Sequence, residues 1–423
     1  MLILVPMAFF APFTGILSFI WMAYTRPQEW AYAGSAQYSL AIAAATIAGY
    51  LLFELPQRPP RLKEHFLLLL LILQYTVAGW LLAYSPEYAQ LKYTEMMKIF
   101  LITILISSMT DSESRVRWIL LVSLGTIGGI SFRSFLGIII TGGSRVYGPG
   151  GLYEDNNDYA ILLNLALPML FYFGQKEKQR WLRYTFYLFS FTSLITILFT
   201  YSRGGFIGLC LALIFMALKS RYKITGLIGV AVLGVVFFSF APKEVLNRVN
   251  TIQGASENDS SAQQRLRAWA VCLKIAADRP FTGVGVRNIL LVYGRYGDPL
   301  DTRVAHNSYL QIVADCGIPG LALFLLLLFV TYRRLSKSRK ILMKYDPNSK
   351  LISYAHGMQV GMIGYMSSAF FASKEDVELI YTVFALGVSC IVIARETQKQ
   401  GKINELVTSK NYSLKPPTLV PVN

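Results

Sequence analysis

"TYSRGGFIGL", Thr200 to Leu209, lies between two runs of apolar residues that are each long enough to sit in a lipid bilayer. An arginine at the centre of a membrane helix costs roughly 2.5 to 3.5 kcal/mol. The stretch therefore reads as the junction of two spans, with Arg203 at the membrane mouth. Outward from it the chain keeps the same character. It has 423 residues, 54% hydrophobic and only 15% charged, too apolar for a soluble protein with one or two ordinary cores. Apolar runs of about 17 to 25 residues, enough to cross roughly 30 Å of hydrocarbon, begin near Met1, Ser35, His65, Leu91, Val116, Asn157, Leu182, Gly204, Ile224, His306, Ser353 and Val377. The expected fold is all-α, a polytopic transmembrane helix bundle of about 12 spans. The first run, Met1 to Tyr24, has no basic n-region and no small-residue cleavage site before "TRPQEW", so it is expected to be an uncleaved span.

The formal charge is +16, but the basic residues do not form the aromatic-interleaved patches of a nucleic-acid binder. They gather in alternate loops, and 24 of the 40 lysines and arginines fall in one set of connections and the tail. The short loops of the other set hold only Arg26, Lys92, Arg145, Arg203 and Lys374. By the positive-inside rule the rich set is cytoplasmic, which puts both termini inside and requires an even number of spans. The four cysteines show no C-x-x-C spacing and read as buried thiols, with a Cys272–Cys316 disulfide as the alternative.

One connection is long. Residues 241–305 separate an N-terminal membrane region, 1–240, from a C-terminal one, 306–394, and 395–423 reads as a polar, disordered cytoplasmic tail. Within the loop, which the charge pattern places on the non-cytoplasmic side, Leu266, Trp269, Ala270, Leu273 and Ala277 recur at helical spacing. This predicts an amphipathic helix from Ser261 to Ala277 over the membrane mouth, ended by "DRP" because the residue before Pro280 disfavours helix. "TGVGVRN" follows as a glycine-rich turn, with neither the strand nor the acidic residue that dinucleotide binding would need. Asp155 to Asp158 read as the cap of the sixth span, and "GIPGLALF" as a kink in the tenth.

There is no D-x-D, H-E-x-x-H, G-x-x-x-x-G-K-[ST] or G-x-S-x-G, so metal and nucleotide-triphosphate chemistry lose weight and no cofactor is expected. What remains is cationic and imidazole groups on the outer side: Arg203, Arg145, Arg265, Arg267, Arg287 and His306. Of three histidines, His65 and His356 fall at cytoplasmic ends, leaving His306 as the outer base titrating near neutrality. Arg203 alone reads as a snorkelling side chain. Gly204 and Gly205 after it suggest exposed N–H groups at a helix start, where the dipole also favours an anion. Arg265 reads equally as part of a solvated face, and His306 as a helix-start residue making a backbone contact.

In the order "DNNDYAILLNLALP", "TYSRGG", "QQRLRAW", "GVGVRN", "AHNSYLQIVADCGIPGLALF", the chain from about Ser144 to Phe329 resembles the O-antigen ligase and polymerase superfamily of bacterial membrane glycosyltransferases. "YTRPQEWAYA" near the N-terminus resembles members found with exopolysaccharide or exosortase gene sets. The resemblance implies a bundle of about a dozen helices in the inner membrane with one large periplasmic loop. It also implies metal-free transfer of a glycan from undecaprenyl pyrophosphate to a hydroxyl of lipid A core, a polysaccharide or a protein. It assigns the membrane-mouth arginine to Arg203, the loop arginine before a tryptophan to Arg265, and the histidine to His306. The arginines would hold the pyrophosphate in bidentate fashion, with Gly204, Gly205, Arg267, Arg145, Arg287 and Asn307 lining the donor site. His306 would act as base on the acceptor hydroxyl or orient it. Ligase and polymerase share these motifs. The rival class, a transporter of lipid-linked sugars, would be expected to show repeated halves and a midplane site, whereas no repeat is visible and the candidate groups crowd the outer face.

Overall fold

The computed structural model describes residues 3–25, 38–148, 153, 155–219, 223–240 and 260–413. These hold fifteen α-helices and no β-strand. The first expected span is two helices, α1 (Leu4–Phe10) and α2 (Pro12–Thr25), since Pro12 lacks the N–H that would continue the ladder and instead opens a new helix. Next come α3 (Tyr38–Gly49) and α4 (Phe66–Thr76), each running into a π-turn, Tyr50–Glu54 and Val77–Leu81, and then α5 (Pro86–Met109) and α6 (Glu113–Ile140). The middle of the chain supplies α7 (Asn156–Lys176), α8 (Arg180–Phe199), α9 (Arg203–Lys219) and α10 (Lys223–Phe240). After these come α11 (Ser260–Asp278), α12 (Ile289–Tyr296), α13 (Ser308–Tyr345), α14 (Leu351–Ser368) and α15 (Glu378–Ser413). A helix begins close to every expected span start. Among the described residues four helices are by themselves long and apolar enough to cross a membrane: Glu113–Ile140, Arg180–Phe199, Ser308–Tyr345 and Glu378–Glu405.

Lipid is as apolar as leucine, so close packing and interhelical hydrogen bonds hold such a bundle together. The α7 helix is its axis, with buried residues on every side. Gly357, Gly361 and Gly364 line the face of α14 that meets it. A Cβ on Gly361 would lie 2.3 Å from the Leu165 carbonyl oxygen, and one on Gly364 2.6 Å from that of Asn164. Asn164 then donates its side-chain amide to the Gly205 carbonyl and the Ser368 hydroxyl, both at 2.8 Å. One buried amide thus ties α7, α9 and α14 together.

The expected kink in the tenth span is a break. Gly317 in α13 has φ 71° and ψ 180°, left-handed backbone that glycine adopts without penalty. The loop after α11 fills the gap: Ile318 N–H donates to the Pro280 carbonyl at 2.7 Å, while Val284 and Gly285 donate to those of Ala314 and Asp315. Gln74 adds bonds to the carbonyls of Phe281 and Cys316. Cys272 and Cys316 are both free and buried.

Two expectations are corrected. The loop helix forms almost where predicted, but its inward stripe is Ala268, Val271, Cys272 and Ile275, packed with Val284, Ile289, Val292 and Ala305, while Leu266 and Leu273 are exposed. Both stripes are apolar, and the packing partner decides between them. The polar segment after Arg395 continues α15 as helix to Ser413 instead of starting a disordered tail, helped by a Glu396–Lys399 pair one turn apart. Residues 241–259 and 414–423 lie outside the described residues.

Candidate active site

Three non-glycine residues have left-handed backbone among the described residues: Tyr201 (φ 54°), Arg287 (φ 66°) and His306 (φ 47°). Each falls in a different sequence motif: "TYSRGG", "GVGVRN" and "AHNSYLQ". Such geometry costs roughly 1 to 3 kcal/mol and persists only where the surroundings enforce it.

The surroundings of His306 do enforce it. On one side, the Ala305 carbonyl accepts the Trp269 indole N–H at 2.9 Å, and the Ala305 N–H donates to Gln311 Oε1. On the other, Asn307 caps α13 by accepting from the N–H groups of Tyr309 and Leu310, and its own N–H donates to Ser373 Oγ. The imidazole is half-buried. Burial first, then the positive charges of Arg265 and Arg303, hold its pKa below the ordinary histidine value, partly offset by Asp155. Arg265 therefore lies within electrostatic reach, and the shift favours the neutral ring, the state a proton acceptor requires.

The "TYSRGG" turn joins the same end of the bundle. Ser202 caps α9 by accepting from Gly205 N–H at 3.0 Å and donates to Asn157 Oδ1 at 2.7 Å. The Thr200 carbonyl accepts from Asn156 and from Arg145 Nε, and Tyr201 donates to the Gly143 carbonyl. Asp155, whose charge reaches His306, caps α7 in this cluster. Arg203 occupies the first position of α9, half-buried.

Beside this end lies a cavity of about 910 Å³. Its apolar wall comes from α2, α3 and α5, with Phe19, Ala44, Ile47 and Ile102 among its residues; Lys92, Arg287, Lys374, Glu375 and Asp376 line its polar part. Lys92 is ion-paired with Asp376 and, at 3.5 Å, with Glu95. Lys374 reaches Asp158 at 3.3 Å and Asp376 at 3.8 Å. The two lysines hold the buried Asp376 carboxyl below its usual range, although burial alone would raise it. Burial and the neighbouring Asp376 push Glu375 up.

The structure brings Arg145, Arg203, Arg265 and His306 to one end of the bundle, and it gives other expected residues different surroundings. Asn307 spends its side-chain oxygen on the helix cap. Arg267 pairs with Asp301 at 2.8 Å on an exposed face. Gly204 and Gly205 are packing glycines: a Cβ would lie 2.2 Å from Phe371 Cβ at the first and 2.5 Å from Ala160 Cβ at the second, and the Gly205 N–H is already taken by Ser202. Arg287 lines the cavity. Sequence reasoning passed over Lys92, Lys374, Glu375 and Asp376. Their one signal was that Lys92 and Lys374 are among the few cations of the basic-poor loops.

Residues 188–325 match the family model described as O-Antigen ligase. Residues 1–161 match a family of unknown function. No curated protein matches the chain.

Proposed function

Because the chain belongs to the O-antigen ligase superfamily and is at that level an O-antigen ligase-like membrane glycosyltransferase, we propose that it moves a glycan from undecaprenyl pyrophosphate to a hydroxyl acceptor at the periplasmic face of the inner membrane. The observation that carries this reading is His306, held in left-handed backbone by its neighbours on both sides and within electrostatic reach of Arg265, which with burial lowers its pKa.

In the proposed step the acceptor oxygen attacks the anomeric carbon as the bond from that carbon to the pyrophosphate oxygen breaks. The hydroxyl proton passes to an imidazole nitrogen of His306, and undecaprenyl pyrophosphate leaves with the bonding pair. Attack in line with departure inverts the anomeric centre. Arg203, Arg265 and Arg145 would hold the departing charge by permanent cations with two-pronged geometry and no metal. The charge pattern of the loops supports about twelve spans with both termini cytoplasmic.

The test is transfer by the purified protein in nanodiscs, given an undecaprenyl pyrophosphate glycan and lipid, glycan and peptide acceptors, with EDTA present. A product formed by wild type but not by Arg203→Ala is expected. Inhibition by EDTA that Mg²⁺ reverses would overturn the metal-free step, and equal turnover by Arg203→Ala would overturn the site.

A further inference from the structure

The cavity beside His306 has a composition that the donor does not explain. Eighteen of the thirty described residues that line it fall in the N-terminal segment that matches a family of unknown function. Leu40 of α3 and Leu101 of α5, which line it, are 54% and 44% exposed, so its apolar wall is accessible to an apolar chain. Its described lining carries four basic and five acidic side chains, and two of its three lysines, Lys92 and Lys374, are already committed to Asp376, Asp158 and Glu95. The one-group acidic excess disfavours a pyrophosphate dianion.

Its polar part instead contains an unmet acceptor. Glu375 is 6% exposed and lines the cavity, and its Oε2 is buried with no hydrogen-bond partner among the described residues. A buried carboxyl oxygen without a donor is costly, and a hydroxyl entering the cavity would satisfy it. The loop that carries Glu375 adjoins His306: Lys374 N–H donates to Ser308 Oγ, and Val304 also lines the cavity.

We propose that this cavity is the acceptor site, that it takes an uncharged hydroxyl-bearing amphiphile whose apolar part lies among α2, α3 and α5, and that Glu375 receives the hydrogen bond of its sugar hydroxyl. This rests on the transfer reading above and narrows its acceptor to a lipid-like class. The N-terminal segment then selects the acceptor, while the arginine end binds the donor.

The test uses the full chain in nanodiscs and dodecyl maltoside carrying a diazirine on its alkyl chain, first as a photolabel and then, unmodified, as an acceptor. Saturable labelling of α3 and α5 is expected, displaced by unlabelled dodecyl maltoside but neither by dodecane nor by farnesyl pyrophosphate. Ala44→Trp and Ile102→Trp should each block labelling, and Glu375→Ala should weaken it about tenfold through loss of one hydrogen bond. Displacement by farnesyl pyrophosphate would make the cavity a donor site, and displacement by dodecane a plain lipid site. Absence of saturable labelling, or undiminished transfer to dodecyl maltoside by both tryptophan variants, would equally overturn the proposal. Labelling needs no turnover, so the two readings fail separately. Arg203→Ala is expected to label normally while transferring nothing, whereas transfer without saturable labelling would leave only the glycosyltransferase reading standing.

Discussion

The indole of Trp269 donates its N–H to the carbonyl of Ala305 at 2.9 Å, which fixes the loop helix α11 to the residue before His306. This single bond links the helix that carries Arg265 to the backbone that holds the imidazole. Trp269→Phe keeps most of the packing and removes the donor. One hydrogen bond of about 1 kcal/mol should appear as roughly a fivefold fall in kcat, with donor KM and expression unchanged. A change confined to KM would mean that Trp269 serves donor binding instead.

His306→Ala should lower the chemical step by about 10² to 10⁴, the usual range for a general base, while donor binding measured by equilibrium methods stays intact. Wild-type turnover would remove His306 from the mechanism.

The pH profile has a definite sign. Burial and nearby arginines depress the pKa of His306, so the neutral ring persists on acidification and the acid limb of kcat should lie below the ordinary histidine value of about 6.5. Asp155→Asn removes the negative charge that opposes this depression while keeping a competent cap, so the limb should move to still lower pH. Arg303→Gln removes a positive charge and should move it upward. Shifts in the same direction for both variants, or an acid limb that survives in His306→Ala, would assign the titration to another group.

Arg203→Lys should retain charge but lose the fork, leaving activity well below wild type but above that of Arg203→Ala. Equal activities for lysine and arginine would show that charge alone suffices.

Glycine substitutions separate packing from propensity. Gly361→Ala places its Cβ 2.3 Å from the Leu165 carbonyl oxygen and should lower Tm of the detergent-solubilised protein, whereas among the described residues nothing lies within 4 Å of a Cβ on Gly129 in α6. Gly129→Ala should leave Tm unchanged or raise it slightly, since alanine is the better helix former by up to about 1 kcal/mol. The same loss in both variants would refute close contact of α14 with α7 as a determinant of stability.

The sequence made local features legible and non-local ones opaque. The bounds of α11, the Asp155 cap and a kink near Gly317 follow from neighbouring residues and could be read directly, though not that the kink is a full break. Which stripe of α11 turns inward could not, because both are apolar and the choice belongs to α12 and α13. The Lys92–Asp376 pair joins residues 284 positions apart, so no local pattern announces it. Asn307 has the chemistry of a ligand and the position of a cap, and only the observed bonds to Tyr309 and Leu310 decide between them.

The break in α13 also bears on how the protein is made. The groups that close around it, from Gln74, Pro280, Val284 and Gly285, all precede Ser308 in the chain and so leave the ribosome first. When the helix carrying Gly317 enters the membrane, partners for its interrupted backbone have already been synthesised. Insertion of α13 therefore completes an assembly begun by older segments, and a chain truncated before Ser308 would hold the loop 279–288 without the carbonyls of Ala314 and Asp315 on which it is seated.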